Sequence, residues 1–406
     1  MRARRARWLS VVAAIVLTGL CTPVLGAAAS SPPPATTPPP ATTAPPTTAS
    51  APTQDGPGAD AARTVAGMTT AEQAASVVMG HIPSTDAAAL TAYMSQGLGG
   101  FILMGANIPA TSAELETLTA ALVVDPSLPP LIAVDQEGGL VSRLPADGYA
   151  SSRTLKGLPV EATSAAFSAR GALVAQSGID VDFGTIADVT ADPSSFIYGR
   201  ALGTDPQGAA ERVAAATTAQ ESFVASTLKH FPGHGAAPGD SHHAIPTTDE
   251  SLEQWRASDA LPVVAGVDAG ASLLMFGHLA YTAVDAAPAS LSARWHEIAR
   301  DELGFRGVIV TDDLGMLQSS GIPEYRDPVA NAVAALAAGN DLVLMVAGST
   351  PETAGQMVAG IVAAVESGTL SAERLADAAT RVLTLRLRLS ATSADWTLCP
   401  TCEPVN

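Results

Sequence analysis

Short apolar runs recur between residues 99 and 345, and they predict β-strands. Seven are clear, at residues 99–104, 131–134, 181–183, 226–230, 272–276, 308–310 and 342–345. Alanine-rich stretches of helical character separate the runs. A regular alternation of strand and helix predicts a parallel sheet with helical crossovers.

The residues at the strand ends favour one of two α/β architectures. Most of the seven runs are followed closely by charged or histidine side chains, as where 131–134 leads to Asp135. Functional residues gather at the carboxyl ends of the strands in (β/α)8 barrels of the TIM type. A doubly wound open sheet is the alternative, but no Gly-x-Gly-x-x-Gly follows a strand. We therefore expect a single catalytic (β/α)8 domain over residues 61–392.

Two helix signals accompany this pattern. Thr70 and Gln73 have the spacing of a capping box, which predicts a helix that begins there and runs toward Val78. Near the C-terminus, apolar residues recur every three or four positions, which is typical of the packing face of a helix. They are Leu375, Ala378, Val382, Leu385 and Leu389.

The first 60 residues have the composition of export and spacer segments. Residues 1–28 combine four arginines, an apolar stretch and a small-residue cleavage zone, which is typical of a signal peptide. Cys21 allows a lipid anchor as an alternative, but Leu20 stands where a lipobox has glycine or alanine. Residues 29–60 form a Pro- and Thr-rich linker that cannot bury a core. We expect the protein to be secreted or associated with the cell wall.

Charge and cysteine content narrow the choice of partners. The formal net charge is −18 and becomes more negative without the signal arginines, which argues against nucleic acid or anionic lipid as a partner. No membrane insertion is expected after signal cleavage. Cys399 and Cys402 then remain, in the tail at residues 393–406. A local disulfide is favoured there over a zinc ribbon, which needs a second cysteine pair.

The densest polar cluster begins at the end of the fourth run. Residues 229–235 (Lys-His-Phe-Pro-Gly-His-Gly) lead to residues 240–242 (Asp-Ser-His). Lys229 and His230 are suited to gripping hydroxyl groups. Asp240 can fix the tautomer of the His242 imidazole and stabilise its protonated form, which makes a candidate general acid near neutral pH. A metal site is the alternative, but no histidine pair lies in a helical His-x-x-x-His frame. We expect neither metal nor cofactor.

The segment 229–242 resembles the signature of glycoside hydrolase family 3, and specifically of its β-N-acetylglucosaminidase branch. The resemblance covers nearly all of residues 65–390. It implies that a His/Asp pair, here His242 with Asp240, serves as acid/base where most glycosidases use a carboxylic acid. Larger members append a sandwich domain that often supplies such an acid. We expect this chain to lack that domain, which favours the His/Asp branch.

The same resemblance implies substrate contacts at the strand ends. The residues are Asp135, Arg143, Arg200, Lys229, His230 and His278. Glu137 is expected to be structural. Two positions depart from the family pattern: Leu140 stands where members often have arginine, and Gly199 replaces the acidic residue that usually precedes the binding arginine. The sequence leaves open what orients Arg200.

The run at 308–310 delivers two adjacent carboxylates, Asp312 and Asp313, to the same end of the barrel. Neighbouring strand residues point to opposite sides, so one of them can face a substrate. The position resembles the nucleophile segment of the family, in which the first carboxylate acts. We therefore expect Asp312 to be the nucleophile and Asp313 to be structural, in a retaining mechanism with His242 and Asp240.

The resulting hypothesis is an exported, monomeric, retaining β-N-acetylglucosaminidase that acts on muropeptides from peptidoglycan or on chitin-derived oligosaccharides. A phosphorylase is the first alternative, because a histidine acid/base carries no negative charge to repel phosphate. A wall-sugar-binding barrel without catalysis is the second. The presence of Asp312, Asp240 and His242 argues against it.

Overall fold

The structure is a computed structural model that describes residues 56–392. The predicted signal peptide with Cys21, the predicted linker up to residue 55, and the tail with Cys399 and Cys402 lie outside the described residues. Within residues 56–392, no helix combines the length and the apolar character needed to cross a membrane.

Eight parallel strands of the described chain form one sheet that closes on itself. The strands of the whole described chain are β1 (Val78–Gly80), β2 (Gly100–Leu103), β3 (Leu131–Val134), β4 (Val181–Ile186), β5 (Ala225–Phe231), β6 (Thr247–Thr248), β7 (Leu273–Phe276), β8 (Ala280–Tyr281), β9 (Val308–Thr311) and β10 (Val343–Leu344). The sheet order is β10-β1-β2-β3-β4-β5-β7-β9, and β6 pairs separately with β8. The two sheet ends meet where Val310 of β9 pairs with Leu342, beside β10. The predicted (β/α)8 barrel is confirmed.

Helices occupy most intervals between the strands. They are α1 (Pro57–Gly67), α2 (Thr70–Ser76), α3 (Ala87–Met94), α4 (Ser112–Leu122), α5 (Ser152–Leu155), α6 (Val160–Gln176), α7 (Pro206–Gln220), α8 (Leu252–Ala257), α9 (Ala260–Asp268), α10 (Ala293–Glu297), α11 (Leu314–Ser319), α12 (Pro328–Ala338), α13 (Thr353–Glu366) and α14 (Ala372–Thr392). Helices α7 and α12 begin at Asp-Pro: Asp205 and Asp327 each accept an amide hydrogen bond from the first turn. Aspartate caps a helix and proline suits its first position, so the local sequence sets these starts.

Most strand boundaries differ by one to three residues from the predicted runs, and the larger differences lie around α1, α2 and β1. The capping box is made by Thr69 and Glu72, one residue before the predicted pair, and α2 ends at Ser76. The eighth strand, β1, follows almost at once and is three residues long, too short to separate from the helix by periodicity. Helix α1 begins at Pro57, inside the predicted linker, because Ala61 and Val65 are buried in the core.

The barrel interior is filled with apolar side chains. Alternate strand residues such as Met79 and Phe183 form one buried cluster inside the barrel. The predicted apolar face of α14 is confirmed: its five residues are buried, and three of them join this cluster. Polar side chains concentrate instead at the carboxyl ends of the strands.

Candidate active site

A small polar cavity opens at the carboxyl ends of the barrel strands. Seven of the nine predicted site residues line it, namely Asp135, Arg143, Arg200, Lys229, His230, His242 and Asp312. Of the other two, Asp240 is hydrogen-bonded to His242 itself, and His278 to the backbone carbonyl of Asp313, which follows Asp312. The closed barrel therefore brings together polar residues from four strand ends.

Asp312 follows β9 and faces the cavity. Its Oδ1 accepts the N–H of Asp313 at 2.8 Å. Burial opposes ionisation, but the electrostatic influence of His230 and His278 and this amide hydrogen bond outweigh it and hold the pKa of Asp312 below its ordinary value. Asp312 is therefore ionised at neutral pH and can react with a group in the cavity.

Asp313 turns away from the cavity and caps α11. Its Oδ1 accepts the N–H groups of Gly315 and Val346, and its Oδ2 accepts that of Ala347, each at 2.8 Å. Burial raises the pKa of Asp313 to about 6. The residue ties the end of β9 to α11 and to the segment after β10, which is the structural position that the sequence analysis assigns to it.

His278 lies behind Asp312 rather than on the cavity wall. Its Nε2–H donates to the Asp313 carbonyl at 2.9 Å, which leaves Nδ1 to accept the Ser290 hydroxyl at 2.7 Å. Both ring nitrogens are engaged and the side chain is buried. In this arrangement His278 positions the turn that carries Asp312, and its predicted contact with substrate stays a prediction.

Glu137 organises the cationic wall of the cavity. Arg200 donates to it from Nε and Nη2 at 2.8 and 2.7 Å, and Lys229 Nζ lies 2.9 Å from Oε1. Burial opposes ionisation of Glu137, but Lys229 and Arg200 outweigh it and lower the pKa to about 2. Lys229 also donates to Asp135 at 2.8 Å. Glu137, predicted to be structural, thus orients two predicted binding residues.

His230 is fixed by a buried carboxylate. Its Nδ1 lies 2.7 Å from Asp188 Oδ2, and Asp188 Oδ1 accepts the backbone N–H groups of His230 and His234. Arg200 can only donate and lies 3.4 Å from Nε2 of His230, so Nε2 accepts and Nδ1 carries the hydrogen. Burial opposes ionisation of Asp188, but His230 lowers its pKa to about 2.

The predicted acid/base pair is formed on the loop after β5. Nδ1 of His242 lies 2.5 Å from Oδ1 of Asp240, which also accepts the His242 N–H at 3.0 Å. Partial burial opposes ionisation of Asp240, but these two bonds lower its pKa. Because Asp240 holds the Nδ1 hydrogen, Nε2 of His242 is the nitrogen that remains to exchange a proton.

The start of this loop is held by two buried side chains. Trp255 Nε1–H donates to the Pro232 carbonyl at 2.8 Å, and the Tyr281 hydroxyl donates to the Gly233 carbonyl at 2.7 Å. The loop thus leaves the barrel from a fixed point, whereas His242 and Asp240 at its far end are exposed, with 56% and 40% of their side chains accessible.

Sequence reasoning missed several residues of the cavity wall. Phe196, His234 and Ser241 line it alongside Val141. His234 is buried against the edge of the Phe196 ring, and neither ring nitrogen has a hydrogen-bond partner within residues 56–392. Burial lowers the pKa of His234 to about 4, so the ring is neutral. Its place in the 229–235 motif is the only sequence signal for it.

The amino-acid sequence is similar to those of known proteins. The profile of the family described as "Glycosyl hydrolase family 3 N terminal domain" matches residues 71–385. A "Beta-hexosaminidase" from Xanthomonas campestris pv. campestris (strain B100) is 36% identical over 307 residues, which cover 70% of this chain and 91% of the relative.

Two solved structures are similar in fold. A glycoside hydrolase family 3 β-N-acetylglucosaminidase from Paenibacillus sp. str. FPU-7 superposes with a TM-score of 0.73 at 31% identity. The match covers 79% of this chain and 63% of that chain. A β-N-acetylhexosaminidase from Beutenbergia cavernae DSM 12333 gives a TM-score of 0.68 at 28% identity, over 79% of this chain and 98% of the other.

Proposed function

The chain belongs to glycosyl hydrolase family 3 and is a glycoside hydrolase, and from this premise we propose that it is an exported, retaining β-N-acetylglucosaminidase. It removes terminal β-linked N-acetylglucosamine from fragments of peptidoglycan or chitin. The names of the similar solved structures, a β-N-acetylglucosaminidase and a β-N-acetylhexosaminidase, support the choice of sugar.

One observation carries the mechanism. The same cavity holds an ionised carboxylate, Asp312, and a histidine, His242, whose Nδ1 is bonded to Asp240. Retaining hydrolysis needs one group that attacks the anomeric carbon and one that donates and then accepts a proton. Asp312 and His242 are of these two kinds.

In the first step, Asp312 attacks the anomeric carbon and the glycosidic bond breaks. The leaving oxygen takes the proton from Nε2 of His242, and Asp240 stabilises the ring while it is charged. The product is a glycosyl ester on Asp312. In the second step, neutral His242 takes a proton from water as the water attacks the anomeric carbon. The ester bond breaks, Asp312 is regenerated and the configuration is retained.

The remaining wall residues bind the sugar ring. Asp135 and Arg143 contact hydroxyl groups, as do Lys229 and His230. Arg200, which Glu137 orients, also binds the sugar. The hydrogen bonds among these side chains support this assignment, because they fix the groups before a substrate arrives.

The leader-like composition of residues 1–28 supports export, and the Pro- and Thr-rich composition that begins at residue 29 is typical of a spacer in exported proteins. An enzyme outside the cell meets wall polymers and chitin fragments rather than cytoplasmic sugars. The substrate is a short oligosaccharide or muropeptide, and the working form is a monomer.

The test is hydrolysis of 4-nitrophenyl N-acetyl-β-glucosaminide compared with the β-glucoside, each with and without phosphate. We expect faster release from the acetamido substrate, N-acetylglucosamine as the product and no phosphate dependence. Formation of the sugar 1-phosphate would identify a phosphorylase instead. Faster turnover of the glucoside would overturn the choice of sugar.

A further inference from the structure

Leu140 is the most exposed large apolar side chain within residues 56–392, with 72% of its surface accessible. It lies at the tip of the turn after β3, next to Val141 of the cavity wall. Single exposed leucines are common on protein surfaces, so exposure alone assigns no role. The geometry of the turn and of the neighbouring loop supplies one.

The turn that carries Leu140 is rigid. Gly138 and Gly139 have positive φ values of 81° and 77°, and the Gly138 N–H donates to the Val141 carbonyl at 3.0 Å. A Cβ on Gly138 would lie 2.0 Å from the buried Arg170 guanidinium, so only glycine fits there. The backbone at Leu140 is therefore held in one place, which reduces the entropy lost when a ligand contacts this residue.

The leucine also packs across the loop that leads to Arg200. Its Cδ1 lies 2.8 Å from where a Cβ on Gly199 would stand, so a larger residue at 199 would displace it. Phe196 of that loop lines the cavity, as does Val141. We call these two cavity-lining residues, together with the adjacent Leu140, the apolar rim.

The wall inside the rim is of opposite character. It carries carboxylates and cations, including Asp135, Arg143 and Lys229, which suit the hydroxyl-rich sugar that is to be transferred. The group on the other side of the scissile bond has to lie outside this polar wall. Neither Leu140 nor Gly199 offers a charge to it.

We propose that the apolar rim is the leaving-group subsite and that Leu140 there selects neutral leaving groups with an apolar face, such as the C–H face of a sugar ring. The proposal rests on the proposed function, because it needs a glycosidic bond held between Asp312 and His242. It adds the substrate class: neutral β-N-acetylglucosaminyl oligosaccharides rather than ones recognised through an anionic leaving group.

The test compares Leu140→Ser on two substrates, di-N-acetylchitobiose and N-acetyl-β-glucosaminyl fluoride. Fluoride is too small to reach the rim, whereas the second sugar of the disaccharide lies on it. We expect kcat/KM for the disaccharide to fall about three- to tenfold, which corresponds to losing the contact of one partly buried leucine side chain. The fluoride value should fall much less. Leu140→Met should keep kcat/KM for the disaccharide near the wild-type value. Gly199→Ala should reproduce the loss seen in Leu140→Ser, because it displaces the leucine.

Val124→Ser is the matched control, because Val124 is exposed to 46% and lies before β3, at the opposite end of the barrel. It should change neither rate. An equal fall on both substrates in Leu140→Ser would show that the residue supports the turn rather than the leaving group, and no fall on either would show that the rim makes no contact. A wild-type protein that cleaves neither substrate would overturn the proposed function and the subsite with it.

Discussion

Glu137 holds Arg200 through two parallel hydrogen bonds, from Nε to Oε2 at 2.8 Å and from Nη2 to Oε1 at 2.7 Å. The two residues are 63 positions apart and follow different strands. Because Gly199 supplies no acidic group beside Arg200, this contact orients the arginine. A paired fork of this kind fixes the plane of the guanidinium as well as its position.

Glu137→Gln should therefore weaken substrate binding. The change removes the charge shared by Arg200 and Lys229, and a hydrogen bond to a charged group contributes about 1.5–3 kcal/mol, so kcat/KM should fall about 10- to 100-fold. This fall should come mainly from a higher KM, with kcat little changed. Steady-state kinetics on 4-nitrophenyl N-acetyl-β-glucosaminide measures it, with Glu366→Gln on the exposed face of α13 as the control. A fall confined to kcat would contradict a binding role.

The same variant makes a prediction about pH and stability. The pKa of Glu137 is lowered from 4.5 to about 2, so its charge stabilises the fold above pH 4.5, and this contribution is lost as the pH falls toward 2. The difference in unfolding free energy between wild type and Glu137→Gln should shrink below pH 4.5, by at most about 1.4 kcal/mol per pH unit. Urea unfolding at a series of pH values from neutral into this range measures the difference. A constant difference across the series is the contrary result.

Asp312 and Asp313 should separate catalysis from stability. Asp312→Ala should lower kcat by about 10⁴-fold or more, as the loss of a nucleophile does, with little change in Tm. Asp313→Ala should lower Tm clearly, because it removes a helix cap, at about 0.5–2 kcal/mol, and leaves further amides unpaired. Kinetics and thermal melts of both variants decide this. Near-normal turnover in Asp312→Ala with an inactive but stable Asp313→Ala would reverse the assignment.

The stable domain should begin with helix α1, so shortening the chain beyond this helix should lower Tm. Its Ala61 and Val65 are buried, and the helix packs against α14. A chain that begins at Gly56 should keep the full activity and Tm, whereas one that begins at Met68 should lose several degrees, because the loss of this packing exposes apolar surface. Equal Tm values for the two shortened chains would show that α1 contributes nothing to the barrel.

The sequence predicts most of the barrel because buried parallel strands are near-continuous apolar runs, as in β9. Strand β1 escapes prediction because its three residues directly follow α2 and carry too little pattern. Helix α1 escapes because it begins at Pro57 beside a Pro-rich stretch, and only packing against α14 reveals it as part of the domain.

Some contacts of the site can likewise be predicted from the sequence, and others cannot. His242 and Asp240 are two residues apart, so their contact can be predicted from local sequence. The partners of Arg200 and His230 lie 63 and 42 positions away, and the closed barrel is what brings them together. For His278 the family resemblance implies a substrate contact, and the sequence gives no sign of the tertiary hydrogen bonds to Ser290 and Asp313 that engage both ring nitrogens.

The most direct measurement is the dependence of kcat/KM on the leaving group in His242→Ala, across aryl N-acetyl-β-glucosaminides of graded leaving-group acidity. A good leaving group needs little protonation, so the variant should lose least with the most acidic phenols and most with the least acidic. Asp240→Asn should show a milder form of this slope, because the ring remains but the charge that stabilises its protonated form is gone. A slope much steeper than that of wild type is the predicted result. If the plots of kcat/KM against leaving-group acidity are parallel for wild type and variant, with equal losses on every substrate, the acid/base role of His242 is contradicted. His242 and Asp240 would then serve only to hold the conformation of the loop.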